Sequence, residues 1–414
     1  MLFNLFRYLE SAYDLPGTGM FQYISFRAAI ANVLALLIVI LCGGPLIKFL
    51  RRRSIGEAVR ELGLEGQKEK EGTPTMGGIL IILAIVLPTL LLARLDNVYI
   101  LLLLVSTLWC GFIGLCDDYI KVFRHNKDGI KPRTKIIGQV GLGLIVGVTM
   151  CFADSVVMRE NGITAHSDKT VVEVIDGQSS SDFDIMSTPV DEHCLKTTIP
   201  FFKNNEFDYN WLSFGHEWLS WFIYIFMAIL IVTAVSNSAN LTDGLDGLLS
   251  GVAIPPVAVL GILAYLSGHV VYASYLNIMY IPDSGELFVF AAAMIGAMLG
   301  FMWYNANPAQ IFMGDTGSLA IGGIVAVLAL CIRKELLLPI MCGVFMVEGL
   351  SSFLQTGFYK MSRKMWGTPK RIFLKAPLHH HYQEKHIKEN KITVRFIIVS
   401  LMLAAISLAT LKIR

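Results

Sequence analysis

Ten long apolar runs dominate this chain and leave few folds open to it. They are Ala28–Leu50, Gly77–Ala93, Val98–Leu115, Ile136–Phe152, Trp218–Val235, Leu248–Leu266, Leu287–Tyr304, Leu319–Ile332, Leu336–Phe358 and Ile392–Leu411. A helix needs about 20 such residues to cross a hydrocarbon core ~30 Å thick. Most of the runs approach that length; the eighth is short, and the third ends in the polar string CDDY. Soluble domains carry about a quarter charged residues, whereas here 16% are charged and 54% apolar, with a mean hydropathy of +0.59. The sequence therefore predicts an all-α, polytopic integral membrane protein with ten transmembrane helices in a single domain over residues 1–414. Its N-terminal stretch carries Glu10, Asp14 and a Pro16-Gly17 turn in place of the charged, apolar and small-residue order of a cleavable signal, so none is expected. The seven cysteines form no disulfide framework; six lie in or beside apolar runs, and Cys194 has no obvious partner in the sequence.

Lys and Arg orient the spans. With the N-terminus outside, the inner loops are 48–76, 119–135, 236–247, 305–318 and 359–391, and they hold 22 of the 34 basic residues. Segment 154–217, by contrast, holds four basic residues against twelve acidic ones. Short loops rich in Lys and Arg stay in the cytoplasm. This distribution predicts that both termini are extracytoplasmic and that 154–217 is an extracytoplasmic insertion between helices four and five.

On that map the polar motifs share one face. KEGTPTMGG (Lys70–Gly78) enters span two, and CDDYIK (Cys116–Lys121) closes span three. SNSANLTDGLDG (Ser236–Gly247) joins spans five and six, YNANPAQIFMGDTGS (Tyr304–Ser318) joins seven and eight, and TPKRIFLKAPLHHHYQEKH (Thr368–His386) lies between nine and ten. A carboxylate at mid-bilayer costs about 2.5–3.5 kcal/mol. Asp117, Asp118, Asp243, Asp246 and Asp315 would together cost roughly 12–17 kcal/mol there. They belong instead at the hydrated cytoplasmic mouth, sharing a cation.

Each motif also has a plainer reading. Asp117 and Asp118 point about 100° apart on a helix and serve one ligand unequally, or simply end a span in water. Asp243 and Asp246 share a face if their loop is helical, or complement the dipole of span six. Asp315 is a cation ligand or the N-cap of span eight. The His379–His381 run lacks the spacing and cysteines of a zinc site and suits phosphate contact or proton movement. No Walker or Rossmann fingerprint is present, so phosphate would be held by Mg²⁺, Lys and loop amides; an all-oxygen ligand set selects Mg²⁺ or Mn²⁺.

The strings GTPTMGG, DDYIK, NLTDGLDGL, FMGDTGSLAIGG and APLHHHYQ, in this order across nearly all ten runs, closely resemble the phospho-N-acetylmuramoyl-pentapeptide transferases. These are members of the polyprenyl-phosphate hexosamine-1-phosphate transferase superfamily. The resemblance implies a bacterial cytoplasmic-membrane enzyme that moves phospho-N-acetylmuramoyl-pentapeptide from UDP-N-acetylmuramoyl-pentapeptide to undecaprenyl phosphate, giving lipid I and UMP. It further implies Mg²⁺ held by Asp315 and Asp117, with Asp117 acting on the lipid phosphate and Asp118 supporting it. By the same resemblance Lys70, Asp243 and Phe312 form the uracil pocket, and Thr75, Asn240 and Asn305 line the nucleotide side. His379 and His380 touch phosphate or sugar, and Gln355 forms a pocket wall. A homodimer in membrane lipid is implied, with no nucleic acid partner.

Span nine, with Glu348-Gly349 and Ser351-Ser352 inside an apolar run, reads as a kinked helix bordering a groove, or as ordinary helix packing through small residues. The family has it broken beside the polyprenyl groove. Segment 154–217 departs from the short loop usual in the family; its TVVEVID stretch reads as a strand. Two rivals stand beside this reading: a sister transferase using UDP-N-acetylglucosamine, and a secondary transporter, which would place its polar motifs near the midplane and often in inverted repeats.

Overall fold

The computed structural model describes residues 2–13, 17–52, 72–124, 129–158, 195–200, 206–213 and 215–411. Lys70, Cys194 and the TVVEVID stretch lie outside the described residues. The first half of the chain forms α1 (Leu2–Tyr13), α2 (Ile24–Arg52), α3 (Gly78–Leu92), α4 (Val98–Phe123) and α5 (Pro132–Phe152). Strands β1 (Lys196–Thr198) and β2 (Glu206–Asp208) pair antiparallel, with Lys196 opposite Asp208. Then come α6 (Glu217–Thr242), α7 (Leu248–Ser267), α8 (Val270–Leu276), α9 (Leu287–Asn305) and α10 (Gly314–Cys331). The chain closes with α11 (Leu338–Met341), α12 (Gly343–Trp366), α13 (Leu378–Glu384) and α14 (Glu389–Ala409).

Among the described residues, eight helices are long and apolar enough to cross a membrane: α2, α4, α5, α6, α7, α9, α10 and α14. A ninth apolar unit is α11 with α12, bent by 82° at Cys342. The break falls six residues before the Glu348-Gly349 pair of span nine. Pro339 and Gly343 flank it, a composition that ends one helix and frees the next to leave at an angle. Helix α3 is apolar but has only 15 residues, about 22 Å of rise. It is short because the residues before it are spent otherwise: Gly77 N–H donates to the Phe312 carbonyl (2.9 Å), Gly78 N–H to that of Met313 (2.8 Å) and Phe312 N–H to that of Pro74 (2.8 Å).

Of the expected boundaries that move, three at the motif end shape the site. Helix α4 continues past Leu115 to Phe123, so the aspartate pair lies within it rather than closing it. Helix α6 continues to Thr242, and α10 begins at Gly314. Polar residues extend these helices, because Asp117, Asp118, Asn240 and Asp315 find partners on neighbouring helices there, as the site shows.

Helix α10 is the central post. Every residue from Thr316 to Cys331 is buried, and α3, α4, α6 and α7 pack around it. By contrast, α14 leaves Val394, Ile398, Leu401 and Met402 exposed, as lipid-facing side chains are. Away from the motif end, Arg27 makes a bidentate buried pair with Glu286 (2.7 and 2.6 Å) and donates to the Leu92 carbonyl (3.1 Å). Buried Arg333 lies over the Tyr224 ring at 4.7 Å. The described part of segment 154–217 is anchored beside it. Thr198 N–H and Thr197 Oγ1 both donate to the Arg333 carbonyl (3.1 Å each), and the Tyr209 hydroxyl donates to Glu335 (3.2 Å). Burial pulls the neighbouring Lys334 ammonium down to about 8 from its ordinary 10.5, against the opposing pull of Glu335 and Glu206.

Candidate active site

The site forms where α4 crosses the start of α10. Gly114 on α4 and Gly78 on α3 permit the approach: a Cβ on the first would lie 2.2 Å from the Asp315 carbonyl oxygen, and on the second 2.1 Å from the Gly317 nitrogen. The first turn of α10 has orphan N–H groups that need acceptors, and α4 supplies them. Asp118, 2% exposed, accepts from Asp315 N–H at Oδ1 (3.0 Å), and from Thr316 N–H (3.0 Å) and Thr316 Oγ1 (2.6 Å) at Oδ2. Asp315 is therefore not the N-cap of its helix. It is the second residue of α10, and the capping carboxylate comes from Asp118 on another helix. Asp315's own side chain is left free for other work.

That side chain meets two cations and an amide. Lys121 Nζ lies 3.1 Å from Asp315 Oδ2, Lys135 Nζ donates to the same oxygen, and Asn240 Nδ2 donates to Oδ1 (2.9 Å). Asp117, fully buried, faces the same lysines: Lys121 at 2.7 Å and Lys135 at 3.0 Å. Its Oδ1 also accepts from Ile130 N–H (2.7 Å). Its Oδ2 is buried and makes no aligned hydrogen bond, although Lys121 stands in ion-pair range; the contact satisfies distance without direction. Charges thus alternate around a ring, Asp117–Lys121–Asp315–Lys135. Such an arrangement holds two carboxylates close together where water is scarce.

Carboxylate oxygens of Asp117, Asp118 and Asp315 all lie within 4.8 Å of one another. Asp118 is largely committed to the α10 amides, whereas Asp117 Oδ2 has unused acceptor capacity and Asp315 opens partly to solvent. This all-oxygen set fits a hard divalent cation, with Asp117 and Asp315 as the residues that would hold it.

The other expected residues spread outward from this centre. Asn240 also donates to Ser318 Oγ (2.8 Å), tying the last turn of α6 to α10. Thr75 is buried beside Gly314, where a Cβ would lie 3.0 Å from Thr75 Oγ1. Asp243 is the C-cap of α6, and 243–247 is a turn, so the expected helical face shared with Asp246 does not form. Asp246 instead accepts from Asn307 Nδ2 (3.0 Å) and Ala309 N–H (3.1 Å). Asn305 braces the same loop, donating to the Ile311 carbonyl (2.8 Å) and accepting from Gly247 N–H (3.0 Å). Phe312 is tied to Pro74 through its backbone. Gln355 on α12 accepts from Ile372 and Phe373 N–H (3.0 Å each) and donates to the Phe373 carbonyl (2.9 Å), pinning the loop that carries the histidines. His379 is fully buried, and His380, partly exposed, bonds Gln383 through Nδ1 (2.7 Å). Lys135, Lys121 and Glu348 were not expected as site residues. The i,i+4 spacing of Asp117 and Lys121 carried a signal for one of them; Lys135 arrives from another helix and carried none.

A model of glycosyl transferase family 4 matches residues 100–333, and signature 1 of phospho-N-acetylmuramoyl-pentapeptide-transferase matches residues 70–82. The chain is 52% identical to the phospho-N-acetylmuramoyl-pentapeptide-transferase of Flavobacterium psychrophilum, over the whole of both chains. It is 51% identical to that of Flavobacterium johnsoniae and 52% to that of Amoebophilus asiaticus, again over the whole of each. The chain belongs to the phospho-N-acetylmuramoyl-pentapeptide-transferase family. Within the family signature, Pro74, Gly77 and Gly78 make the backbone hydrogen bonds to Phe312 and Met313 at the head of α10. The segment matched by the transferase model runs from α4 to the end of α10 and so contains the whole carboxylate–lysine ring.

Proposed function

We propose that this chain transfers phospho-N-acetylmuramoyl-pentapeptide from UDP-N-acetylmuramoyl-pentapeptide to undecaprenyl phosphate, releasing UMP and leaving lipid I in the membrane for peptidoglycan synthesis. The observation that carries this reading is the meeting of Asp117, Asp118, Asp315, Lys121 and Lys135 at one helix start, in a chain half identical from end to end to named transferases. In this reading α3 and the α11–α12 pair also cross the bilayer, giving ten spans with both termini outside. The site then faces the cytoplasm, as the excess of Lys and Arg in the motif-end loops supports. Residues 154–217 are an extracytoplasmic insertion in a single transmembrane domain of the bacterial cytoplasmic membrane, and the working unit is a homodimer.

The reaction is a displacement at phosphorus. An oxygen of undecaprenyl phosphate attacks the sugar-bearing phosphorus; a P–O bond forms there as the bond to the UMP oxygen breaks, and UMP leaves with that electron pair. The nucleophile is already anionic at neutral pH, so the chain has to orient it and manage charge more than remove a proton. Asp117 and Asp315 would hold Mg²⁺, which would supply charge neutralisation on the phosphates. Lys121 and Lys135, placed between those carboxylates, present ammonium groups to the diphosphate, which strengthens as a contact when charge moves to the leaving oxygen. Asp117 orients the lipid phosphate, and Asp118 holds the α10 start in register. Asp243, Phe312 and Lys70 bind uracil; Thr75, Asn240 and Asn305 line the nucleotide side; His380 and His379 serve the phosphate and sugar side, with Gln355 in the wall.

The test is direct. Purified protein in lipid nanodiscs, given undecaprenyl phosphate and Mg²⁺, should release UMP from UDP-N-acetylmuramoyl-pentapeptide and not from UDP-N-acetylglucosamine. Release from the second sugar alone would assign the chain to the sister transferases, and release from neither would overturn the reading.

A further inference from the structure

A second buried polar cluster lies between the bent helix α12 and the α6–α7 turn. Glu348 is fully buried on α12, within an otherwise apolar stretch. Its carboxylate accepts from His379 backbone N–H (3.1 Å at Oε1, 3.4 Å at Oε2), and its Oε2 lies 3.0 Å from His379 Nδ1. A carboxylate at Nδ1 requires hydrogen on that nitrogen, which leaves Nε2 as the outward-facing atom of the ring. Nε2 is itself buried without a hydrogen-bond partner. It stands against Gly244, where a Cβ would lie only 2.2 Å from it. Gly244 follows Asp243 directly, and Asp243 caps α6 one turn after Asn240, which touches Asp315.

A buried carboxylate is costly unless its oxygens are satisfied, and every described partner of Glu348's oxygens is an atom of His379. The pair therefore defines where His379 sits, and His379 defines how close the Asp243–Gly244 turn can come. Gln355, seven residues on and thus on the same face of α12, pins the same loop at 372–373. The histidine loop is clamped to α12 twice.

We propose that Glu348 is a positioning residue: through His379 it sets the Asp243–Gly244 turn, and so the nucleotide side of the site is held in place by the lipid-side helix α12. This rests on the assignment of Asp243 to the nucleotide above. Glu348 touches no substrate. Its loss is felt as misplacement of Asp243, hence in nucleotide affinity ahead of the chemical step.

The experiment measures UMP release and, separately, binding of UMP alone by calorimetry, for wild type, Glu348→Ala, Glu348→Gln and Gly244→Ala. Glu348→Ala is expected to raise KM for the UDP-sugar and Kd for UMP by about tenfold, the size of one lost hydrogen bond to a charged group, with kcat changed less. Glu348→Gln keeps an acceptor for the Nδ1 hydrogen but turns an NH₂ toward the His379 N–H, and is expected between wild type and Glu348→Ala in KM and Kd, with kcat retained. Gly244→Ala pushes on the same ring from the other side and should match Glu348→Ala, and the double variant should be no worse than either single one. Selective ¹⁵N-histidine spectra should show the Nδ1-H tautomer of His379 in wild type and its loss in Glu348→Ala. Should Glu348→Ala fail to fold, Glu348→Gln and Gly244→Ala still decide the matter: an unchanged UMP Kd in Gly244→Ala, or a Gln variant that loses kcat at constant KM, overturns the proposal. Absence of UMP release by wild type would instead remove the functional reading on which it rests.

Discussion

Asp118 offers the sharpest separation of structure from chemistry. Its carboxylate takes three hydrogen bonds from the first turn of α10 while 2% exposed, so substituting it strands donors that water does not reach. A hydrogen bond to a charged group is worth about 1.5–3 kcal/mol, and loss of a helix cap costs about 0.5–2 kcal/mol. These overlap rather than add, which puts Asp118→Ala at roughly 3–5 kcal/mol of destabilisation. Asp118→Asn keeps one carbonyl oxygen for Thr316 but turns an NH₂ toward the Asp315 N–H, so about one charged bond, roughly 1.5–3 kcal/mol, is lost. Thermal unfolding of the purified variants should rank wild type above Asp118→Asn above Asp118→Ala. UMP release, assayed well below all three transitions, should fall less for Asp118→Asn than for Asp117→Asn, because the cap is only weakened. A variant Asp118→Asn that unfolds at the wild-type temperature yet has no turnover would refute this reasoning and move Asp118 into the chemistry.

Asp315→Asn should cut turnover by roughly two to three orders of magnitude or more with the fold retained, and should weaken Mn²⁺ binding followed by electron paramagnetic resonance; full activity with ordinary Mg²⁺ would strip Asp315 of its metal role. Asp243→Asn should raise KM for the UDP-sugar more than it lowers kcat, and Asp117→Asn the reverse; measuring both constants for both variants exposes a swapped assignment. Lys334 has a folded pKa of about 8, below its ordinary 10.5. Both states are charged at pH 7 and the folded state bears the full penalty; above pH 8 the folded site sheds its proton first, so wild-type stability should rise up to pH 10.5, by roughly 3–3.5 kcal/mol at most. Lys334→Met should remove that rise in pH-dependent unfolding curves and be at least as stable as wild type at pH 7.

The apolar runs and the positions of the motifs were legible because lipid imposes long, nearly charge-free segments and leaves polar residues only where something answers them. Helix ends were less legible. The run Val98–Leu115 stops at Cys116 by hydrophobicity, yet α4 continues, because Asp117 and Asp118 are satisfied by Lys121, Lys135 and the head of α10. Lys121 is a local i,i+4 partner, but Lys135 and the head of α10 arrive from other helices, and no local pattern announces them. The same holds for Asp315, which read equally as an N-cap or a cation ligand; the capping carboxylate of its helix is Asp118, 197 residues away. Asp243 and Asp246 looked equivalent in sequence, and only the turn between α6 and α7 gives the second to Asn307 and Ala309. Glu348 was legible as out of place in an apolar run, but its histidine partner was not.

The tight seating of α10 bears on how this chain can evolve under attack. Side chains at Gly78 and Gly114 would collide with main-chain atoms of α10, at Gly317 and Asp315, rather than with movable groups. An antibiotic gripping the Asp315 carboxylate therefore rests on a helix start whose seating against Gly78 and Gly114 tolerates no added side chain there. Escape would have to come from the rim, through the loop around Phe312 or the histidine segment, where substitutions alter side chains without displacing a helix. A compound with its affinity concentrated on the partly exposed Asp315 carboxylate should accordingly select resistance less often than one resting on the rim.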